Sequence, residues 1–209
     1  YHCRDTTILD PEKFDSESIK AKLGLQGKRV VMFLGTPRPH KGTADLFSAI
    51  EKISDPYVRL VIIGADSSIQ SQIHNMGNNK DKVIVLPKIS FKELPEHLSV
   101  ADILVIPQKD TTDTQGQIPA KLFDAMAMAK PIITTPISDI PEVMGEHGYL
   151  VEPGNPEQLA KTITNIFANL KEAQKKGQNA RKRCQELYDL KVMEKELSFQ
   201  VEKLISPQP

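Results

Sequence analysis

The stretch from Ile103 to Thr135, ILVIPQKDTTDTQGQIPAKLFDAMAMAKPIITT, decides the fold. It opens on a run of branched apolar residues, Ile103 to Pro107, with the length of a buried strand. A polar loop follows, and then Leu122, Phe123, Met126 and Ala127 recur at the spacing of one helix face. Lys130-Pro131 closes that helix and leads into a second apolar run, Ile132 to Thr135. Strand, loop, helix and strand make a βαβ unit, and the loop lies at a strand's carboxyl end, where open α/β sheets take their ligands. Lys121 falls about one turn into the expected helix, where the positive end of the helix dipole disfavours a cation. Either it is a solvated surface lysine, or an anion sits at the helix start beyond the Gly116 approach.

The same alternation extends outward in both directions. Upstream, Arg29–Leu34 and Val58–Ile63 read as strands buried on both faces, and Lys82–Leu86 as a third. Helices are expected between them, marked by Leu46, Ala49, Ile50 and Ile53, then by Ile69, Ile73 and Met76, then from about Lys92 to Val100. Before the first strand, Asp15-Ser16-Glu17 with Ile19, Leu23 and Leu25 predicts a short helix ending at Gly24. Downstream come a helical turn at Asp139–Met144 and a brief strand at Tyr149–Val151. A helix opening at Asn155-Pro156 carries Leu159, Ile163, Ile166, Phe167 and Leu170. A basic helix from Lys171 to Leu187 and a last one from about Lys191 to Ile205 complete the chain. The expected class is α/β, a Rossmann-like doubly wound parallel sheet with C-terminal helices. Its divisions are an entry segment at 1–28, a core at 29–155 and completing helices at 156–209.

Charge and cysteine content narrow the function. Lys plus Arg equals Asp plus Glu at 27 each, which gives no drive toward nucleic acid or an anionic membrane. No apolar run approaches the roughly 20 residues that a transmembrane helix needs. Cys3 and Cys184 are the two cysteines. They are expected as free thiols in a reducing cytosol, with a disulfide as the open alternative. The histidines show no metal-ligand pairing, so no metal or other cofactor is expected. The chain opens Tyr-His-Cys-Arg, which suggests a piece of a longer protein.

Two strand-end loops carry candidate anion ligands. Arg38 and Lys41 stand in Gly35-Thr-Pro-Arg-Pro-His-Lys-Gly42, directly before a helix start, and suit a phosphate or diphosphate. The spacing is neither a P-loop nor a dinucleotide fingerprint. The loop before Lys121 adds Asp124, placed either to accept from a vicinal diol such as a ribose or simply to complement the helix dipole. Lys88 follows the third strand and is either a rim residue or solvated. His40 is a loop residue beside the first cluster. The serines lack a nucleophile elbow. The basic residues Lys175, Lys176, Arg181, Lys182 and Arg183 spread around their helix, as a solvated face would.

Together the blocks VVMFLGTPRPHKGTADLFSAI, VRLVIIGAD, KVIVLPKISFKELPEHLSVADILVIPQ, QIPAKLFDAMAMAKPIITTPISDIPEVM and HGYLVEPGNPEQLAKTI resemble the C-terminal, donor-binding domain of retaining GT-B glycosyltransferases of family 4. The resemblance implies one half of a GT-B fold that holds a nucleotide-diphosphate sugar. An N-terminal domain outside this chain would bring the acceptor, which could be a glycan, a lipid or a small molecule. By the same resemblance Arg38 and Lys41 neutralise the diphosphate, and Gly35 and Thr36 belong to their loop. Lys88 and Ile89 match the turn that recognises the base. Gly116, Gln117, Ile118, Pro119 and Ala120 match the turn against sugar and diphosphate, beside Lys121, and Asp124 matches a ribose-binding glutamate. The family's first acid is replaced by Gly116, so Gln115 or Gln117 would have to hydrogen-bond the sugar. The expected protein is a cytoplasmic hexosyl-type transferase, with peripheral membrane attachment of the full-length protein allowed, and the fragment alone inactive. The alternatives are a GT-B sugar-nucleotide epimerase and a non-catalytic nucleotide or phosphosugar module.

Overall fold

Hydrophobic runs that alternate with amphipathic helices have a simple physical solution, a parallel sheet covered on both faces. The computed structural model describes residues 2–205 and shows that solution. Its elements in chain order are α1 (Ser16–Lys22), β1 (Arg29–Leu34), α2 (Thr43–Lys52), β2 (Val58–Ile63), α3 (Gln70–Asn75) and β3 (Val83–Leu86). They continue as α4 (Leu94–Ser99), β4 (Ile103–Ile106), α5 (Ala120–Ala127), β5 (Ile132–Thr134), α6 (Ile140–Met144), β6 (Tyr149–Leu150), α7 (Pro156–Ala168), α8 (Leu170–Leu187) and α9 (Leu190–Ile205). The sheet order is β3-β2-β1-β4-β5-β6, and every pairing is parallel. This is a Rossmann-like α/β domain. Its winding reverses between β1 and β4, which opens a crevice at the carboxyl ends of those strands.

Strand alternation sorts the core into two layers. Val30 and Met32 of β1 point toward α1, α4, α5 and α8, whereas Val31 and Phe33 point toward α2, α3 and α7. Leu122, Phe123, Met126 and Ala127 of α5 are fully buried, as their spacing predicts. Each large side chain of this kind stabilises the fold by about 2 kcal/mol through area removed from water. Helix α8 approaches closely because it presents small residues: Ala173, Gly177, Ala180 and Cys184 are its buried positions. A Cβ on Gly177 would lie 2.2 Å from the Ala129 carbonyl oxygen.

Three expectations are corrected. Helix α3 has 6 residues, with 3-10 turns on either side. Gly77, which adopts φ +54°, and the following asparagines are poor helix formers, so the stripe through Ile69, Ile73 and Met76 is divided. Leu170 does not extend α7, because Asn169 leaves helical geometry at φ −127° and ψ 45° and α8 restarts beyond it. The basic residues of α8 are not a uniformly solvated face. Arg181 donates to the carbonyls of Leu9, Ala127 and Thr6 and pairs with Asp10 at 3.1 Å. Arg183 donates to the carbonyls of Val143 and Glu142. The Asn155 cap holds as expected, its side chain accepting from the Gln158 N–H at 2.9 Å.

The N-terminal segment is tied to the far end of the chain. Arg4 forms a β-bridge with Asp189, and the Thr6 hydroxyl donates to the Asp189 carboxylate at 2.6 Å. Among the described residues, α9 buries none of its own, and Leu197, Phe199 and Leu204 are exposed. No helix there is long and apolar enough to cross a membrane.

Both thiols are free. Cys184 is fully buried, and burial pushes its thiol up to about 12. Native protein is therefore expected to give one fast-reacting thiol with an aromatic disulfide reagent at pH 8, at Cys3. Cys184 should react only on unfolding in denaturant. Two fast thiols in native protein would contradict this packing.

Candidate functional site

The site is built from glycine outward. At the end of β1, Gly35 adopts φ +110°, and its N–H donates to the Ile63 carbonyl at 2.8 Å. With no side chain there, two amines reach the same spot. The Nζ atoms of Lys121 and Lys41 lie 3.8 and 3.9 Å from the position a Cβ on Gly35 would occupy. Lys121 is the second residue of α5, closer to the helix start than sequence spacing suggests, and no side chain caps that helix. Its Nζ donates to the Leu34 carbonyl at 2.7 Å and stands 4.3 Å from the centroid of the Phe33 ring. The Lys41 Nζ donates to the Thr36 carbonyl at 2.9 Å.

The electrostatics follow from that crowding. Burial first, and the Lys41 charge second, push the Lys121 amine down to about 7, while Asp124 pulls the other way. Lys41 is also lowered, by burial and then by Arg38. Both shifts run toward the neutral amine, as burial beside another cation requires.

Beside the amines, at the ends of β1, β2 and β3, lies a cavity of about 270 Å³ lined by Leu34, Gly35, Thr36, Ile63, Lys88, Ile89 and Phe91, among others. Its lining is mostly apolar, and Phe91 is more than half exposed on the rim. The structure thus brings Gly35, Thr36, Lys41, Lys88, Ile89 and Lys121 to one crevice.

Arg38 and Asp124 stand elsewhere. Arg38 faces Asp66 at 3.6 Å and lines a separate cavity of about 580 Å³ with His40, Gln72 and Lys109. In that cavity His40 lies 3.7 Å from Asp113. Asp124 is buried, and the Arg4 guanidinium holds its Oδ1 while donating to the Ala120 carbonyl at 3.0 Å. Burial raises the Asp124 carboxyl, and Arg4 opposes that shift without cancelling it. Gln115, Gly116 and Gln117 are exposed on the turn before α5, with the Gln115 amide donating to Asp110 at 2.9 Å. Ile118 packs against the core, and Pro119 and Ala120 begin the helix.

Sequence reasoning missed four residues here. Arg4 is distant in sequence and carries no motif. Thr114 is fully buried and ties its loop by donating to the Lys109 carbonyl at 2.6 Å. Phe91 reads as an ordinary loop aromatic, although an exposed aromatic beside a strand end is a usable signal. Gln108 is buried, with an amide oxygen that has no partner among the described residues.

A Rossmann-like domain with paired amines at the end of β1 and an apolar cavity beside them is a class shared by many proteins. Residues 28–169 match the family described as Glycosyl transferases group 1, and the chain belongs to that family. It is similar to the spore coat protein SA of Bacillus subtilis (strain 168), 28% identical over 182 residues covering 81% of this chain and 47% of that protein. It thus spans about half the length of the curated relatives it matches. Among solved structures, Anabaena Alr3699/HepE in complex with UDP superposes with a TM-score of 0.85 at 19% identity, over 97% of this chain and 56% of that one. The C-terminal domain of a glycosyl transferase group 1 family protein (LpcC) from Francisella tularensis superposes with a TM-score of 0.76 at 22% identity, over 90% of this chain and 99% of that one.

Proposed function

We propose that this chain is the donor-binding half of a retaining GT-B glycosyltransferase of family 4, and that its crevice holds a nucleotide-diphosphate sugar. The convergence of the Lys41 and Lys121 amines over Gly35, beside an apolar cavity of about 270 Å³, carries the reading. A diphosphate would take the amines, and a nucleobase would enter the cavity against Ile89, with Phe91 at its rim. Lys88 would stand at the same rim. Arg38 would turn from Asp66 toward the phosphates, a low-cost movement for an exposed ion pair. Asp124 would offer a ribose hydroxyl the oxygen that Arg4 leaves, Oδ2. The turn from Gln115 through Gly116, Gln117, Ile118, Pro119 and Ala120 would back the sugar.

In the transfer, the bond from the anomeric carbon to the diphosphate oxygen breaks, and its electron pair leaves with the diphosphate. The acceptor hydroxyl bonds to that carbon on the face being vacated, and its proton passes to the departing diphosphate oxygen. Lys41, Lys121 and Arg38 would stabilise the charge growing on the leaving group, an electrostatic role. The acceptor, a glycan, lipid or small molecule, would come from a second domain, and this half alone would bind donor without turnover. The unshifted balance of Lys plus Arg against Asp plus Glu, 27 each, suits a small anionic ligand better than nucleic acid.

Calorimetry with UDP, GDP and ADP tests this directly. At least one is expected to bind with Kd below about 1 mM, and Lys41→Met should weaken it at least about tenfold, near 1.4 kcal/mol. If no nucleotide binds, or if the affinity survives the Arg38→Ala/Lys41→Ala double substitution, the proposal is wrong.

A further inference from the structure

We infer that Lys121 is the proton-accepting ligand of this crevice: arrival of a diphosphate draws a proton from solvent onto its amine, so that donor binding near neutral pH is coupled to proton uptake. The inference rests on the donor-site reading and adds to it how the site's charge is set.

The geometry gives Lys121 more positive than negative charge for company, with Asp124 the one carboxylate that acts on it. From the loop after β1 it meets the Lys41 amine, with Arg38 beyond it. On its own helix the nearest carboxylate, Asp124, is already held by Arg4 from the N-terminal segment, with His2 against Phe123 on that side. From the loop after β3 the charged residue that lines the adjoining cavity with Gly35 and Thr36 is Lys88, another cation. In the loop before α5, Lys109 pairs with Asp45, Asp113 with His40, and Asp110 with Gln115, so no acid there is turned toward Lys121. What remains for the amine is one carbonyl, that of Leu34, and the face of the Phe33 ring. Both are satisfied by a neutral amine or by an ammonium.

With two amines sharing a half-buried space, releasing one proton is the least costly way to relieve their repulsion. Lys121 is the more perturbed of the two, with its titration near neutrality. A diphosphate reverses the balance, because it supplies opposite charge and accepting oxygens beyond the single Leu34 carbonyl. The balance of the step is one amine plus one proton from the buffer giving one ammonium, with no other bond changed. Phosphate ionisation does not confuse this above pH 7, since a terminal phosphate titrates near about 6.

The experiment is calorimetry of UDP, with GDP and ADP in parallel, at pH 6 and pH 8 in buffers of different ionisation enthalpy. At pH 8 wild-type protein should take up close to one proton per nucleotide bound. At pH 6 the uptake should vanish or reverse, because Lys121 is already charged and a terminal phosphate that titrates near about 6 gives up its own proton to bind. Its affinity should fall about tenfold per pH unit above neutrality. Lys121→Arg, charged at every pH used, should bind nucleotide with neither the uptake nor that slope. Nitrogen-15 lysine NMR on wild-type protein gives the same answer without a variant. The Lys121 Nζ resonance should titrate near neutral pH when free and stay ammonium beyond pH 9 with nucleotide. Nucleotide binding with no proton uptake, or with equal uptake in Lys121→Arg, overturns this inference and leaves the donor site standing. Failure of all three nucleotides to bind overturns the donor site itself.

Discussion

Gly42→Ala is expected to lower stability by about 2–5 kcal/mol and to abolish nucleotide binding under conditions where the variant remains folded. Gly42 sits at φ +67° as the residue before α2, a conformation that costs a non-glycine residue about 1–2 kcal/mol. The steric cost is larger. A Cβ there would stand 1.7 Å from the Pro107 carbonyl oxygen and 2.8 Å from the Pro107 carbonyl carbon. Both are backbone atoms at the end of β4, so no side chain can rotate out of the way. Overpacking of this kind adds about 1–3 kcal/mol, a large part of a typical domain's 5–15 kcal/mol. The contact joins the two loops that form the crevice, and the Lys109 N–H donating to the His40 carbonyl at 2.9 Å closes the same seam. Spreading them would move Lys41 off Gly35. Gly116→Ala is the control: it has φ +78° but open space around its Cα, so only the conformational cost of about 1–2 kcal/mol should appear. Urea denaturation of both variants decides the matter, and equal midpoints would show that the Pro107 contact has no energetic weight.

The sheet was the most legible part of the chain, for a physical reason. β1 and β2 begin and end where the runs of Arg29–Leu34 and Val58–Ile63 do, because a strand buried on both faces is apolar along its buried length, with Arg29 and Arg59 confined to the strand starts. Helix ends were less legible. α4 and α3 are shorter than their stripes, since turns at Ser90–Glu93 and around Gly77 also satisfy backbone groups. Within the site, Lys41 and Lys121 could be read because each stands at a strand-end loop or helix start, and position alone says what a cation there would meet. Arg38 could be placed in its loop and Asp124 in its helix, but neither could be aimed. Rotamer and partner decide where a long side chain points, and the partners are Asp66 and Arg4. Arg181 could not be read at all, because its four acceptors come from two segments, Thr6–Asp10 and the end of α5, that only the folded chain brings to α8.

Arg4→Ala tests the most distant of these partnerships and should bring the other large loss of stability. Asp124 is 5% exposed, and the guanidinium that faces it is the only cation bonded to it among the described residues. Removing one member of a buried pair typically costs about 3–5 kcal/mol, because the remaining charge stays desolvated. The loss should depend on pH in a definite direction. Burial already holds the Asp124 carboxyl above its ordinary value, and without Arg4 it would rise further. A carboxyl raised in the folded state can stay protonated in acid at little cost. It costs progressively more as pH climbs from the unfolded value of 3.8 through the folded one. The variant should therefore be nearest to wild type around pH 4 and furthest from it at pH 8. Asp124→Asn in the Arg4→Ala background removes the charge and should recover part of the loss at pH 8 and almost none at pH 4. Nucleotide affinity should weaken as well, because Arg4 also holds the Ala120 carbonyl in the first turn of α5, next to Lys121. A flat stability difference across that pH range would mean that Arg4 acts through packing against α5 and not through the charge of Asp124.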